Sequence, residues 1–408
     1  LPLSRLLRLS LFQVSVGMAL VLLIGTLNRV MIVELNVPAT WVAVMISLPL
    51  IFAPFRAFIG FRSDIHVSAL GWKRVPYIWR GTMVQFGGLA IMPFALLVLS
   101  GGGNANQWPA WVGHMGAGLA FLLVGAGLHT TQTAGLALAT DLAPVESQPK
   151  VVGLMYVMLL LGMIGSAFVF GEVLADFSPG RLIQVIQGSA VATLILNAIA
   201  LWKQESRQRG YRAQPEKQTT FKDAWAAFTH GDNAVRRLVA VALGTMAFSM
   251  EDVLLEPYGG QILELTVSAT TKLTATLAVG GLLGFGLASK VLSRGFDPFR
   301  MACYGAMVGV PAFLAVIFSA PASSPLMFGL GTLAIGFGGG LFGHGTLTAT
   351  MNHAPEGQAG LALGTWGAVQ ASAAGLAVAL GGVLRDVVSS MAQRNGSFLG
   401  QSGPATGY

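Results

Sequence analysis

The chain has 408 residues, of which 54% are hydrophobic and only 10% charged. A soluble domain carries about 25% charged residues, so an ordinary soluble enzyme is excluded. The net charge of +7 does not argue for nucleic acid, because the basic residues fall between apolar runs, where they set membrane orientation. A single cysteine, Cys303, rules out an internal disulfide. There is no nucleotide loop, no zinc spacing and no soluble lobe to hold a nucleophile with its base, so no enzymatic chemistry, metal ion or nucleotide is expected.

Apolar runs of about 20 residues, the length a bilayer core of roughly 30 Å demands of a helix, recur along the whole chain. They predict an all-α polytopic membrane protein. Six spans are expected at about 9–33, 40–61, 76–100, 109–140, 151–174 and 181–202. Five more follow at about 238–257, 268–291, 301–319, 326–351 and 359–384. The 53 glycines fit this class, since small residues let helices approach closely in lipid. The chain begins at Leu1 with no cleavable signal pattern, and an upstream start is expected.

The polar segment 203–237 divides the chain into an N-terminal half, 1–202, and a C-terminal half, 238–408. Most basic residues, including Arg62, Lys73, Arg74 and eight in 203–237, fall on one side of the predicted spans. That side is expected to be cytoplasmic, together with the N-terminus. Eleven spans are visible, so two six-helix halves predict a twelfth beyond Tyr408.

The halves echo one another. GAGLHTTQTA (125–134) matches GLFGHGTLTA (340–349) as H-x-T-x-T-A, with Gly125 and Gly340 four residues before His129 and His344. GEVLADF (171–177) likewise matches GGVLRDV (381–387). A repeat of this period in so apolar a chain predicts two related halves packed around a shared interface.

Charges within spans are costly, about 2.5–3.5 kcal/mol each at the bilayer centre on insertion scales, and therefore mark function. Arg29 and Glu34 lie near the end of the first span; Glu251, Asp252 and Glu256 lie at the matching end of the seventh. Aligning 28–34 with 250–256 sets Arg29 opposite Glu251 and predicts an Arg29–Glu251 or Arg29–Asp252 pair, unless these residues sit at the wet interface. Arg56 and Glu172 are the other charges expected in the cavity. His129 and His344 have two readings: a ligand to a large planar ring lying over the small residue, or a histidine hydrogen-bonded to Thr133 or a neighbouring helix. The run Gly336, Gly338, Gly339 and Gly340 lies within a span and lacks a following Lys-Ser/Thr, so it predicts helix packing.

Six plus six helices with a basic central loop resemble the major facilitator superfamily. The loop after the second span resembles its signature: Gly60 and Asp64 four residues apart, then the basic cluster Lys73 and Arg74 after about five extra residues. In the second half Gly286 is followed by Lys290 where the acid belongs. Four strings carry a narrower resemblance: 8–35, LPLIFAPFRAFIGFRSD (48–64), 71–101 and GLHTTQTAGLALATDLAP (127–144). They resemble the PucC/LhaA family, the bacteriochlorophyll-delivery branch of that superfamily in phototrophic bacteria.

The resemblance implies an assembly factor in the bacterial cytoplasmic or intracytoplasmic photosynthetic membrane. Such a protein acts as a chaperone that binds light-harvesting antenna polypeptides and delivers bacteriochlorophyll. The core antenna is slightly favoured as client, with the reaction-centre core complex as a further partner. It makes His129 and His344 candidate transient magnesium ligands. Two alternatives stand beside it: a secondary transporter using Arg29, Glu251 and Asp252, and a scaffold that binds no pigment.

Overall fold

The computed structural model describes residues 2–53, 55–56, 59, 63, 68–100, 104, 107–144, 148–206, 233–292, 294–352 and 359–395. Among them the regular structure is entirely helical, with no strand. The helices are α1 (Leu3–Glu34), α2 (Ala39–Ser47, extended by a 3₁₀ turn Leu48–Phe52), α3 (Val75–Leu99), α4 (Ala110–Asp141), α5 (Gln148–Val173) and α6 (Pro179–Leu201). They continue as α7 (Ala234–Gln261), α8 (Val267–Leu292), α9 (Pro298–Ser319), α10 (Pro325–Asn352) and α11 (Ala359–Asn395). Ten are long and apolar enough to cross a bilayer, and α2 is shorter. Each falls on one of the eleven spans expected from hydropathy.

The local chemistry of the starts is readable. Ser178 caps α6, its Oγ accepting the Arg181 N–H at 3.2 Å, and Asp297 caps α9 by accepting the Phe299 N–H at 2.8 Å. In both cases proline follows at the first helical position, where its missing N–H costs nothing.

By contact the chain forms two units: Leu1–Arg209 with Met250–Ala275 and Val378–Tyr408, and Gly210–Ser249 with Thr276–Ala377. In the first, α1 is the central element, with Phe12, Leu22, Leu27 and Met31 fully buried. It lies against α5 through glycine: a Cβ added at Gly162 would sit 2.7 Å from the Val14 Cα. Lipid tails are as apolar as leucine, so such backbone approach, with hydrogen bonds, is what holds membrane helices together. A buried polar ladder supplies the bonds. Asn197 of α6 accepts from Ser15 Oγ of α1 at 2.9 Å and donates to Thr82 Oγ1 of α3 at 2.9 Å.

In the second unit α10 is the hub. Gly338 lies against the backbone of α9 at Gly305, and Gly336 and Gly340 lie against the backbone of α8 at Leu277 and Gly281. The glycine run of α10 is therefore a packing surface, as its sequence context indicates. Outward positions stay apolar: Phe94 of α3 is 69% exposed and Leu326 of α10 is 73% exposed. Faces of this kind suit lipid and not water.

Candidate functional site

The charged residues of the first unit gather where three helices depart from regular geometry or begin. α1 is not α-helical throughout. It forms π turns at Val21–Leu27 and Val30–Glu34, and the Leu35 N–H bonds the Val30 carbonyl, five residues back, at 3.0 Å. Single π turns recur at functional sites. Five-residue spacing then replaces four as the period of one face, and Arg29 meets Glu34. The expected pairing of Arg29 with Glu251 or Asp252 gives way to this one, because a purely α-helical α1 would turn Glu34 away. Arg29 is only 4% exposed and also donates to the Leu265 carbonyl at 3.4 Å.

Facing α1, α7 tightens into a 3₁₀ turn at Met250–Val253 that carries Glu251 and Asp252. Asn28 Nδ2 spans the gap and donates to the Asp252 and Val253 carbonyls at 3.2 Å each. One turn further along α7, Glu256 accepts from Thr274 Oγ1 of α8. Gly25 makes room for both: a Cβ there would lie 2.7 Å from Thr274 Oγ1 and equally against the Glu256 carboxylate. Thr26 and Thr271 meet between α1 and α8 with their hydroxyls 3.4 Å apart. Glu251 and Glu256, 9% and 3% exposed, each keep a buried Oε2 with no hydrogen-bond partner among the described residues, and so does Asn28 Oδ1. Thr271, Thr274 and Asn28 were missed by reading for charge alone; the polar run 270–274 at the start of an apolar span was the available signal.

Arg56 and His129 form a second constellation. Arg56 Nε donates to Thr133 Oγ1 and its Nη2 to Gln132 Oε1, each at 3.1 Å. Gln132 continues to Gln13 of α1 at 3.4 Å. The guanidinium thus rests on neutral oxygens, with no carboxylate bonded to it among the described residues. His129 interacts with the Pro49 backbone in the 3₁₀ turn that extends α2, and its buried Nδ1 has no partner among the described residues. The space over Gly125 is filled by Pro49. His344, half-buried in the second unit, stands edge-on to the Phe285 ring at 4.2 Å, and the space over Gly340 is filled by α8 backbone. Neither glycine leaves an open face for a macrocycle in this conformation. Glu172 is 72% exposed and pairs with Lys272 Nζ at 2.6 Å.

The basic end of the first unit is held by carboxylates. Glu205, just past α6, accepts the N–H groups of Lys73, Arg74 and Val75 at 2.7, 3.1 and 3.0 Å and so closes the N-terminus of α3. Arg74, buried, pairs with Asp141 at the end of α4 at 3.0 Å and donates to Ser63 Oγ. Gly60 and Asp64 lie outside the described residues. Among the described residues no three metal-ligating side chains converge.

Comparison with known proteins bears on both fold and family. The chain superposes on a bacterial homolog of the human lysosomal transporter Spinster with a TM-score of 0.69 at 14% identity, covering 96% of this chain and 84% of that one. A bacterial homologue of the iron transporter ferroportin gives 0.67 at 17% identity, covering 94% and 92%. The chain therefore shares the fold of these membrane transporters. In sequence the chain is 64% identical to Protein PucC of Rhodovulum sulfidophilum, covering 95% of this chain and 86% of the relative. It is 61% identical to Protein PucC of Cereibacter sphaeroides, over 97% and 86%. A protein of the puhA–bchM intergenic region of Rhodobacter capsulatus is 54% identical over 100% and 85%. The family described as PUCC protein matches residues 26–408, and the chain belongs to it.

Proposed function

We propose that this protein is an assembly factor for the bacterial light-harvesting antenna, which holds antenna polypeptides and passes bacteriochlorophyll to them. The observation that carries the reading is identity of 61–64% with PucC proteins over nearly the whole chain, joined to an all-helical fold with ten helices able to cross a membrane among its described residues. A more distant relative, 27% identical over 93% of this chain and 87% of its own length, is named as the 44.5 kDa chain of bacteriochlorophyll synthase, which supports a link to that pigment. The proposal includes two halves joined by 203–237, with that loop and the N-terminus in the cytoplasm. The core antenna is the client favoured from sequence, and the purification below decides between core and peripheral antenna.

The test is gentle purification from pigmented membranes, with an absorption spectrum and identification of the small polypeptides that accompany the protein. Antenna polypeptides with bacteriochlorophyll are the expected result. Polypeptides without pigment would leave a scaffold; neither would overturn the proposal. Ligation by His129 and His344 belongs to the proposal only for a state in which Pro49 and α8 have withdrawn from Gly125 and Gly340. The double variant His129→Ala, His344→Ala then lowers pigment co-purification, and unchanged pigment removes both as ligands.

A second reading, transport of a small solute, is favoured by the gathering of Arg29, Glu251 and Asp252 on broken helices, the arrangement in which secondary transporters bind substrate and ions. Solute-dependent proton uptake in vesicles is its test.

A further inference from the structure

We propose that Glu256 is the centre of a monovalent-cation site in the first unit, occupied by sodium or by a proton. Its carboxylate is 3% exposed, receives a hydrogen bond from Thr274 Oγ1, and keeps Oε2 buried with no partner among the described residues. A buried carboxylate so sparsely satisfied is costly unless something neutralises it. Arg29 is near enough to act on it through space, yet its hydrogen bonds go to Glu34 and the Leu265 carbonyl.

The surrounding donors are oxygens. The Thr274 hydroxyl contacts the carboxylate directly, and the Thr26–Thr271 hydroxyl pair lies within a turn of Gly25 and Thr274 on the same two helices. Asn28, wholly buried one turn along α1, has its Nδ2 committed to α7 carbonyls and its Oδ1 unpartnered. This second observation is independent of the acids. Asn28 follows by three residues Gly25, whose Cβ position lies against the Glu256 carboxylate, so two buried acceptors that lack a donor belong to this level of α1 and α7, and such a pair calls for a hard cation. One central carboxylate with hydroxyl and amide oxygens suits a single charge better than a divalent ion.

The backbone agrees. Irregular turns at membrane depth are tolerated only where protein buries them or a cavity lies beside them, and unwound segments are where transporters coordinate Na⁺ and H⁺. Here α1 and α7 are both irregular at this level, and only glycine at position 25 spares the carboxylate a clash. Around Glu256 the charged groups are Arg29 and Glu34 on α1, Glu251 and Asp252 on α7, and Lys272 on α8, which turns to Glu172 of α5. On α11, Arg385 bonds Asp386. The site does not depend on what the protein assembles or moves.

The experiment measures the melting temperature of the full chain in lipid nanodiscs as choline chloride is replaced by sodium chloride at fixed ionic strength, at several pH values. It compares the wild-type protein with Glu256→Gln. A saturable rise with sodium, absent from the variant, establishes a sodium site. No sodium response but a pH-dependent step absent from Glu256→Gln establishes the proton as occupant. If the two proteins respond alike to both sodium and pH, the proposal fails. Should Glu256→Gln not fold, Thr274→Val removes the donor to the carboxylate. It is expected to shift half-saturation or the pH midpoint about tenfold, as loss of a hydrogen bond to a charged group implies; no shift overturns the site.

Discussion

Replacing Asn197 by leucine tests how the first unit is held together. The side chain is fully buried and makes two interhelical hydrogen bonds, from Ser15 and to Thr82, each at 2.9 Å. Leucine has the branching and the number of side-chain heavy atoms of asparagine, so no cavity is opened. Neither partner is orphaned by the change: the Ser15 hydroxyl falls back on the Phe12 carbonyl at 2.8 Å, and Thr82 already donates to the Ile78 carbonyl at 2.8 Å. The loss is then that of the bonds alone. Interhelical hydrogen bonds in membranes average about 0.6 kcal/mol and reach about 1.7, so two give about 1 kcal/mol and at most about 3. Reversible unfolding in mixed micelles against a denaturing detergent measures it. A double-mutant cycle with Ser15→Ala isolates one bond, with a coupling of about 0.6 kcal/mol expected. A loss well above 3 kcal/mol would refute the argument that the partners are rescued locally. A loss of zero would refute the claim that the ladder contributes to packing.

Variants at three further positions follow from the geometry. Gly162→Ala forces a Cβ against the Val14 backbone of α1 and is expected to cost about 1–3 kcal/mol. Gly165→Ala, with nothing within 4 Å of its Cβ, leaves the same unfolding curve unmoved. Glu205→Ala frees three N–H groups at the start of α3 and should cost about 1–2 kcal/mol, the range of a lost cap. Glu205→Gln, which keeps an acceptor, recovers part of that.

The number and order of spans were legible because a bilayer imposes length and apolarity on every crossing, and composition alone reports both. The pairing within the site was not. Residues 28–34 read as one face of an ordinary helix, which assigns Arg29 a partner on another helix. Only the π register of α1 reveals Glu34 as its partner, and no propensity in the sequence announces that register. Glu172 stands out in sequence as a charge in a span, yet its position near the end of α5 lets it reach outward to Lys272. The glycines before the two histidines read in sequence as room beside the ring. What the sequence cannot say is who takes that room, and here Pro49 and the backbone of α8 do.

The π turns of α1 have a mechanical side as well. Each is in effect one residue more than an α-helix of the same rise can hold, a dislocation stored in the rod. If it migrates by a few residues, the stretch it passes rotates about the helix axis by about 100°, one residue's worth of turn, while both ends stay where they are. With two such dislocations flanking Asn28 and Arg29, that short stretch can act as a swivel, turning its side chains toward or away from α7 without any helix being displaced.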